Sequence, residues 1–307
     1  VELLLTKNFS SGDLKTMDNF KYFRASDVKE ACSLLSRYGE EAKILSGGQS
    51  LVSMMKQRFI MPSYIIDVKG ISELDYIRLV DDGGLEIGAM TTHRSLEKSA
   101  VIRENFSMLS NMELTLASMA VRNWGTVGGS LCSADPASDL APSLIALGAQ
   151  VTLSSENGER VVLLEDFIVD SFETILKENE LLTQIQVPGK AALGCGIHTK
   201  FARRAHDLGI ASVATHLILD KSDRDICNHI RIVLGAVDPF PQRYKRAEGL
   251  IRENKINEAL IEEAARAVFE DCNPTTDING TEEYKREIAR VLVIRTVKEA
   301  IARARSV

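Results

Sequence analysis

Two short segments pair glycines with small hydroxyl residues. One is Ser46-Gly47-Gly48-Gln49-Ser50; the other is Thr126-Val127-Gly128-Gly129-Ser130, inside the stretch Asn123–Asp139. Adjacent glycines let a backbone approach a partner closely and adopt conformations closed to other residues. A run of unobstructed N–H groups beside a hydroxyl forms a concave donor nest that holds phosphate oxygens without any lysine. Two such nests could grip the two phosphates of a pyrophosphate from opposite sides. Taken singly, either glycine pair reads first as a tight turn, and it is the second segment that shifts the reading toward a paired nest. Neither segment matches GxGxxG or GxxxxGK[ST], which disfavours a Rossmann dinucleotide site and a P-loop.

Other residues with chemical potential have simpler explanations. His93, in TTHRSLE, reads as a helix-start residue rather than a base. Cys132 has no basic neighbour and reads as a small packing residue. Trp124 reads as core, with stacking on a planar ligand as the alternative. Arg203-Arg204 fits a solvated strand end. Asp135 and Asp139 make a carboxylate pair without a glycosidase arrangement around it. Asp139 by itself suits a cap for the helix after it, and Lys200 suits a surface position on a strand. The acidic EEAARAVFED fits a solvated helix face.

The elements that must position these residues follow from periodicity. Ser26–Gly39 has helical spacing between a cap-like Ser26 and a closing glycine. AKILSG, SYIIDVKGI (ending its strand at Asp67) and GLEIGAM read as strands, and LVSMMKQRF as a helical turn or irregular segment. THRSLEKSAVIRENFSMLSNMELTLAS carries continuous helical spacing. TVGGSLCSADPASDLAPSLIALGAQVTLSS runs from a glycine loop through a proline turn to a small-residue helix and a strand. ERVVLLEDFI and ELLTQIQVP are further strands. After a boundary near Pro188–Gly194 come three strands, GIHTKFARRA, ASVATHLILD and HIRIVLGAVDPFPQR, and then two helices, INEALIEEAARAVFED and EEYKREIARVLVIRTVKEAIARA.

Composition bounds the class. The 307 residues suit two domains, and 45% hydrophobic with 26% charged residues is ordinary globular material. A net charge of −6 argues against a general nucleic-acid binder. No apolar run reaches the roughly 20 residues of a membrane span. VELLLTKNF lacks the basic start and long apolar core of a secretory signal, and residues 1–16 read as a loosely ordered leader. Five cysteines (Cys32, Cys132, Cys195, Cys227, Cys272) are widely spaced without a CxxC pair. They read as reduced cytoplasmic thiols, neither a disulfide framework nor a metal site.

The ordered set of SGGQSL, IIDV, IGAMTTH, TVGGSLCSADPASDLAPSLIALGAQV, KFARR and two closing helices resembles a known family over roughly residues 18–305. It is similar to the FAD-binding medium subunits of the molybdenum hydroxylases, the relatives of xanthine dehydrogenase and carbon monoxide dehydrogenase. The resemblance implies an α+β fold. Residues 17–190 would form a two-lobed FAD-binding domain of the vanillyl-alcohol oxidase and para-cresol methylhydroxylase (PCMH) type. Residues 191–307 would form a smaller α+β domain of the carbon monoxide dehydrogenase flavoprotein type, an antiparallel sheet with helices. Relatives that reduce aromatic thioesters carry a cysteine-rich iron–sulfur insertion, and this sequence shows no such cluster.

The same resemblance assigns cofactor roles. Ser46, Gly47, Gly48, Gln49 and Ser50, flanked by Leu45 and Leu51, fall in the first FAD segment. Thr126, Gly128, Gly129 and Ser130 fall in the second, and both would surround the pyrophosphate. Asp139 matches an acidic position facing the adenosine end, Leu181 an apolar position against the flavin side, and Lys200 a basic position close to the cofactor. It implies an electron-transfer subunit rather than a site of substrate chemistry, with no catalytic or metal-ligating residue of its own. Its partners would be a large molybdopterin subunit and a small subunit with two [2Fe–2S] clusters, assembled as a dimer of heterotrimers that reduces an external acceptor in the cytoplasm. The competing expectation is a self-sufficient FAD-dependent oxidoreductase, which would need its own substrate pocket and acid–base pair.

Overall fold

Residues 19–306 are described by a computed structural model, so the leader expected at 1–16 lies outside the described residues. Three main sheets organise them. Lys21–Arg24, Tyr64–Asp67 and Ala42–Leu45 lie side by side in that order, all parallel. Parallel neighbours need crossover connections, and these are supplied by the helices Val28–Tyr38 and Leu51–Lys56. The first helix is capped by Asp27, whose side chain accepts from Glu30 N, and not by Ser26 as its sequence suggests. Ser26 instead donates to the Glu30 carboxylate at 2.7 Å.

The second sheet is antiparallel, in the order Ile77–Leu79, Leu85–Gly88, Leu181–Val187, Gln150–Ser155, Gly158–Leu163. Helices of four to eight residues pack on it, together with Val28–Tyr38, whose Cys32 Sγ donates to Ser154 O at 3.4 Å. The stretch expected as one long helix after Thr92 is three: His93–Lys98, Ala100–Asn105 and Ser107–Glu113. Ser99 breaks it by leaving helical geometry (ψ 123°) and using its hydroxyl to cap the next helix. Phe106 breaks it again, buried with φ −137°. Apolar spacing carried across both breaks, because all three helices bury one face against the same core.

A short 3₁₀ turn, Gly189–Leu193, leads into the third sheet, in which Cys195–Phe201, Ala211–Leu219, Cys227–Gly235 and Gln242–Arg243 run antiparallel. This sheet is buried on both faces, and the alternation along its strands divides its side chains. Ala214 and Val233 join the core beneath the helix Leu140–Leu147. Val213, Leu217, Ile230, Ile232 and Leu234 pack under the closing helices Glu258–Asp271 and Glu282–Ser306. Arg231 Nη1 also donates to the Ile145 carbonyl at 3.0 Å, so the third sheet is keyed to the first part of the chain. The acidic face of Glu258–Asp271 is solvated, while Ile261, Ala264, Ala265 and Val268 point inward.

Candidate cofactor site

A cavity of about 610 Å³ is lined by residues from all three sheets. The first glycine segment leaves the carboxyl end of the strand Ala42–Leu45, where ligands bind at open parallel sheets. Gly48 takes φ +72°, the left-handed region that glycine tolerates. The N–H groups of Gly47, Gly48, Gln49 and Ser50 find no acceptor among the described residues. This segment is therefore an open donor nest.

The second segment is not the loop its glycines suggest. Val127–Ser133 is a helix capped by Thr126. Its first N–H groups are already engaged: Val127 with Thr91 O (2.9 Å), Gly128 with Ala89 O (2.9 Å), Gly129 with Thr126 Oγ1 and Ser130 with Thr126 O (2.9 Å). Its glycines serve close approach instead. A Cβ on Gly128 would stand 2.8 Å from Ala89 O, and one on Gly129 would stand 2.6 Å from Ser46 Oγ. On the other side, a Cβ on Gly47 would stand 2.2 Å from Trp124 O. The two segments thus interlock, and Thr126 Oγ1 donates to Ser46 Oγ at 3.2 Å across the joint.

Thr126 consequently does two jobs. Thr126→Ala should cost about 1 kcal/mol of stability as a lost cap and should also loosen the joint with Ser46. Thr126→Ser should restore both, as read by a denaturant melt and a cofactor titration of each variant.

Of the residues to which the resemblance assigns cofactor roles, all but Leu45 line the cavity. Leu45 ends its strand instead, with its carbonyl accepting from Val68 N and its side chain beside Gly48. Leu181 is buried at the start of its strand, against the same core as Met90 and Val68. Trp124 is not core: it is 62% exposed, lies outside the cavity lining and contributes its carbonyl to the joint. Cys132 lines the cavity, and burial pushes its thiol up to about 12. Arg203 and Arg204 are exposed, with Arg203 donating to the Ile278 carbonyl.

Asp139 precedes the helix Leu140–Leu147, yet its side chain makes no capping bond. Its carboxylate is buried. Oδ2 accepts from Lys200 Nζ at 2.6 Å, while Oδ1 stands 3.5 Å from His198 Nε2 without a formed hydrogen bond. Burial pushes this carboxyl up, but His198 and Lys200 outweigh it and hold it below the usual carboxylate range. Lys200 is no surface lysine: its side chain is 6% exposed and also donates to Thr115 O at 2.9 Å. His198 went unnoticed in the sequence. It lies two residues before Lys200 on the same strand, so both side chains leave one face of the sheet.

Residues 18–190 match the family described as the FAD binding domain in molybdopterin dehydrogenase. The chain belongs to this family. Residues 197–300 match the CO dehydrogenase flavoprotein C-terminal domain. The glyceraldehyde dehydrogenase medium chain of Sulfolobus acidocaldarius is 34% identical, over 91% of this chain and 98% of that one. The 6-hydroxypseudooxynicotine dehydrogenase complex subunit alpha of Paenarthrobacter nicotinovorans is 33% identical, over 94% and 96%. The solved carbon monoxide dehydrogenase of Hydrogenophaga pseudoflava, in a form lacking the Mo-pyranopterin moiety of its cofactor, superimposes with a TM-score of 0.90 at 33% identity, covering 94% of this chain and 99% of the matched one. The fold is the two-part α+β medium-chain architecture, the protein is an oxidoreductase component of the carbon monoxide and xanthine dehydrogenase type, and its cofactor is FAD.

The residues present fit that cofactor. The open donors at 47–50 suit a diphosphate, and a Cβ at Gly129 would fill the gap between the Ser46 and Thr126 hydroxyls. The buried, unpartnered Asp139 Oδ1 is an acceptor for a hydroxyl or amine.

Proposed function

We propose that this chain is the electron-transfer subunit of a three-subunit molybdenum hydroxylase. It would stand between the [2Fe–2S] clusters of a small partner subunit and an external acceptor, with a large molybdopterin subunit acting on the substrate. When bound, FAD supplies the redox chemistry, and the protein supplies position and electrostatics. The observation that carries the proposal is the cavity itself, where all three sheets bring the open donors of residues 47–50 together with the Asp139–Lys200 pair.

Within the proposal each part has a role. The N–H groups of Gly47, Gly48, Gln49 and Ser50 hold the diphosphate, with the hydroxyls of Ser46, Thr126 and Ser130 alongside. Gly128 and Gly129 bring the second segment into place, and Leu51 and Leu181 give apolar wall. Asp139 Oδ1 accepts from the adenosine end, and Lys200 fixes the carboxylate that does so. A division into 17–190 and 191–307 is supported by two family matches, one ending within Gly189–Leu193 and the other beginning just after it. A cytoplasmic location is supported by five free cysteines. No helix among the described residues is long and apolar enough to cross a membrane. The relatives share this chain's length while being named for different substrates, which supports substrate choice lying in a partner.

Co-expression tests the reading. Made alone, the chain should retain FAD and show no hydroxylase turnover. Made with the large and small subunits, it should copurify as two heterotrimers and reduce an artificial acceptor. A solitary chain that turns over a substrate would instead establish the self-sufficient flavoprotein.

A further inference from the structure

The cavity wall holds a buried acid–imidazole pair to which no role has been given above. His93 Nδ1 lies 2.9 Å from Glu113 Oε1, with the two side chains 5% and 0% exposed. Glu113 Oε2 has no partner, so His93 is the only side chain that answers this carboxyl among the described residues. The other charges nearby are committed to each other. On the helix that His93 begins, Glu97 pairs with Arg94 and, at 2.9 Å, with Arg122 of Met119–Trp124; Arg122 also donates to Leu116 O and Ala117 O.

The ring is aimed at the joint of the two glycine segments. His93 N donates to Gly125 O at 3.0 Å. A Cβ on Gly125 would meet His93 Cδ2 at 3.1 Å and Gln49 Cγ at 3.7 Å. The Cδ2–Nε2 edge therefore borders the same point as the first glycine segment. His93 lines the cavity, and no described residue hydrogen-bonds its Nε2. Of the other basic cavity residues, Lys43, Lys177 and His206 are exposed, and Lys200 is taken by Asp139 and Thr115.

Burial penalises an uncompensated carboxylate, and it pushes the Glu113 carboxyl up against the opposing effect of His93. A protonated Glu113 donates to Nδ1 and leaves the ring hydrogen on Nε2, where a phosphate oxygen can accept it; an ionised Glu113 accepts from Nδ1–H instead. An anionic ligand at Nε2 fits the first arrangement.

We propose that His93 is a further cofactor-binding residue whose Nε2–H donates to the FAD diphosphate beside residues 47–50, with Glu113 as the positioning residue that keeps Nε2 protonated. This rests on FAD occupying the cavity as proposed above.

The test uses the full chain with ¹⁵N-labelled histidine, titrated with FAD, ADP and riboflavin. The His93 Nε2 resonance should shift with FAD and ADP, which carry a diphosphate, and stay still with riboflavin, which does not. His93→Gln should weaken FAD and ADP about tenfold and leave riboflavin unchanged. Glu113→Gln should expose a mixture of imidazole tautomers in the spectrum, a signature that a packing role would not produce. An Nε2 signal indifferent to bound FAD overturns the inference and leaves the functional reading standing. Equal weakening of FAD and riboflavin in His93→Gln also overturns it. A wild-type chain that takes up no FAD by absorbance overturns the functional reading first and this one with it.

Discussion

Gly47→Ala should lower FAD affinity by about two orders of magnitude while leaving the secondary structure intact. The added Cβ would sit 2.2 Å from Trp124 O and 2.8 Å from Gly125 Cα. Both are backbone atoms, so no rotamer change relieves the clash, and the first segment must lift away from the second. That movement opens the joint in which Ser46 meets Thr126 and turns the open donors out of register. Gly48→Ala is a milder test of the same segment. There the cost comes from φ +72°, about 1–2 kcal/mol for an L-residue, and the Cβ would meet only mobile side-chain ends, Leu45 Cδ1 and Val52 Cγ2, at 3.3 Å. The expected order is thus wild type, then Gly48→Ala, then Gly47→Ala. It is read from the flavin absorbance of purified protein and from apo-chain titration, with far-UV circular dichroism as the check on folding. Full flavin content in Gly47→Ala would sink the interlocked site.

What the sequence showed and what it hid differ by the range of the interaction. The strands around AKIL, YIID and LLTQIQV follow from local alternation and β-branched content, and the structure has them. Lys21–Arg24 was missed because four residues, mostly exposed, carry no pattern; they become a strand only through parallel pairing with Tyr64–Asp67. Paired glycines marked close backbone approach correctly at both segments. They could not say what is approached: at 47–50 the backbone opens on the cavity, whereas Gly128 and Gly129 make room for Ala89 and Ser46. The same limit hid His198, the Glu113 behind His93, and the fate of Trp124. Each depends on a contact between elements distant in sequence, and such contacts leave no period in the chain.

Asp139→Ala should cost about 3–5 kcal/mol, far more than a helix cap would, because it strands a buried lysine. Lys200 Nζ would keep only the Thr115 carbonyl. Lys200→Met should cost a similar amount by stranding the carboxylate, which would keep His198 at 3.5 Å and no formed hydrogen bond. A double variant, Asp139→Leu with Lys200→Met, removes both charges and should recover most of the loss, as replaced buried pairs do. The pH dependence has a definite sign. The folded-state carboxyl lies below its ordinary value, so its contribution is complete above the unfolded value, about 3.9, and is lost as pH falls further. The stability gap between wild type and Asp139→Ala should accordingly hold steady from neutral pH to about 4 and shrink below it. Cofactor binding separates the two oxygens. Oδ2 is engaged by Lys200, whereas Oδ1 has no hydrogen-bond partner and is the oxygen proposed to accept from the adenosine end. Asp139→Ala should therefore weaken FAD about ten- to a hundredfold, while Lys200→Met, which spares Oδ1, should weaken it by less. Equal FAD affinity in wild type and Asp139→Ala, with stability lost as stated, would leave Asp139 a purely structural partner of Lys200 and remove it from the cofactor site.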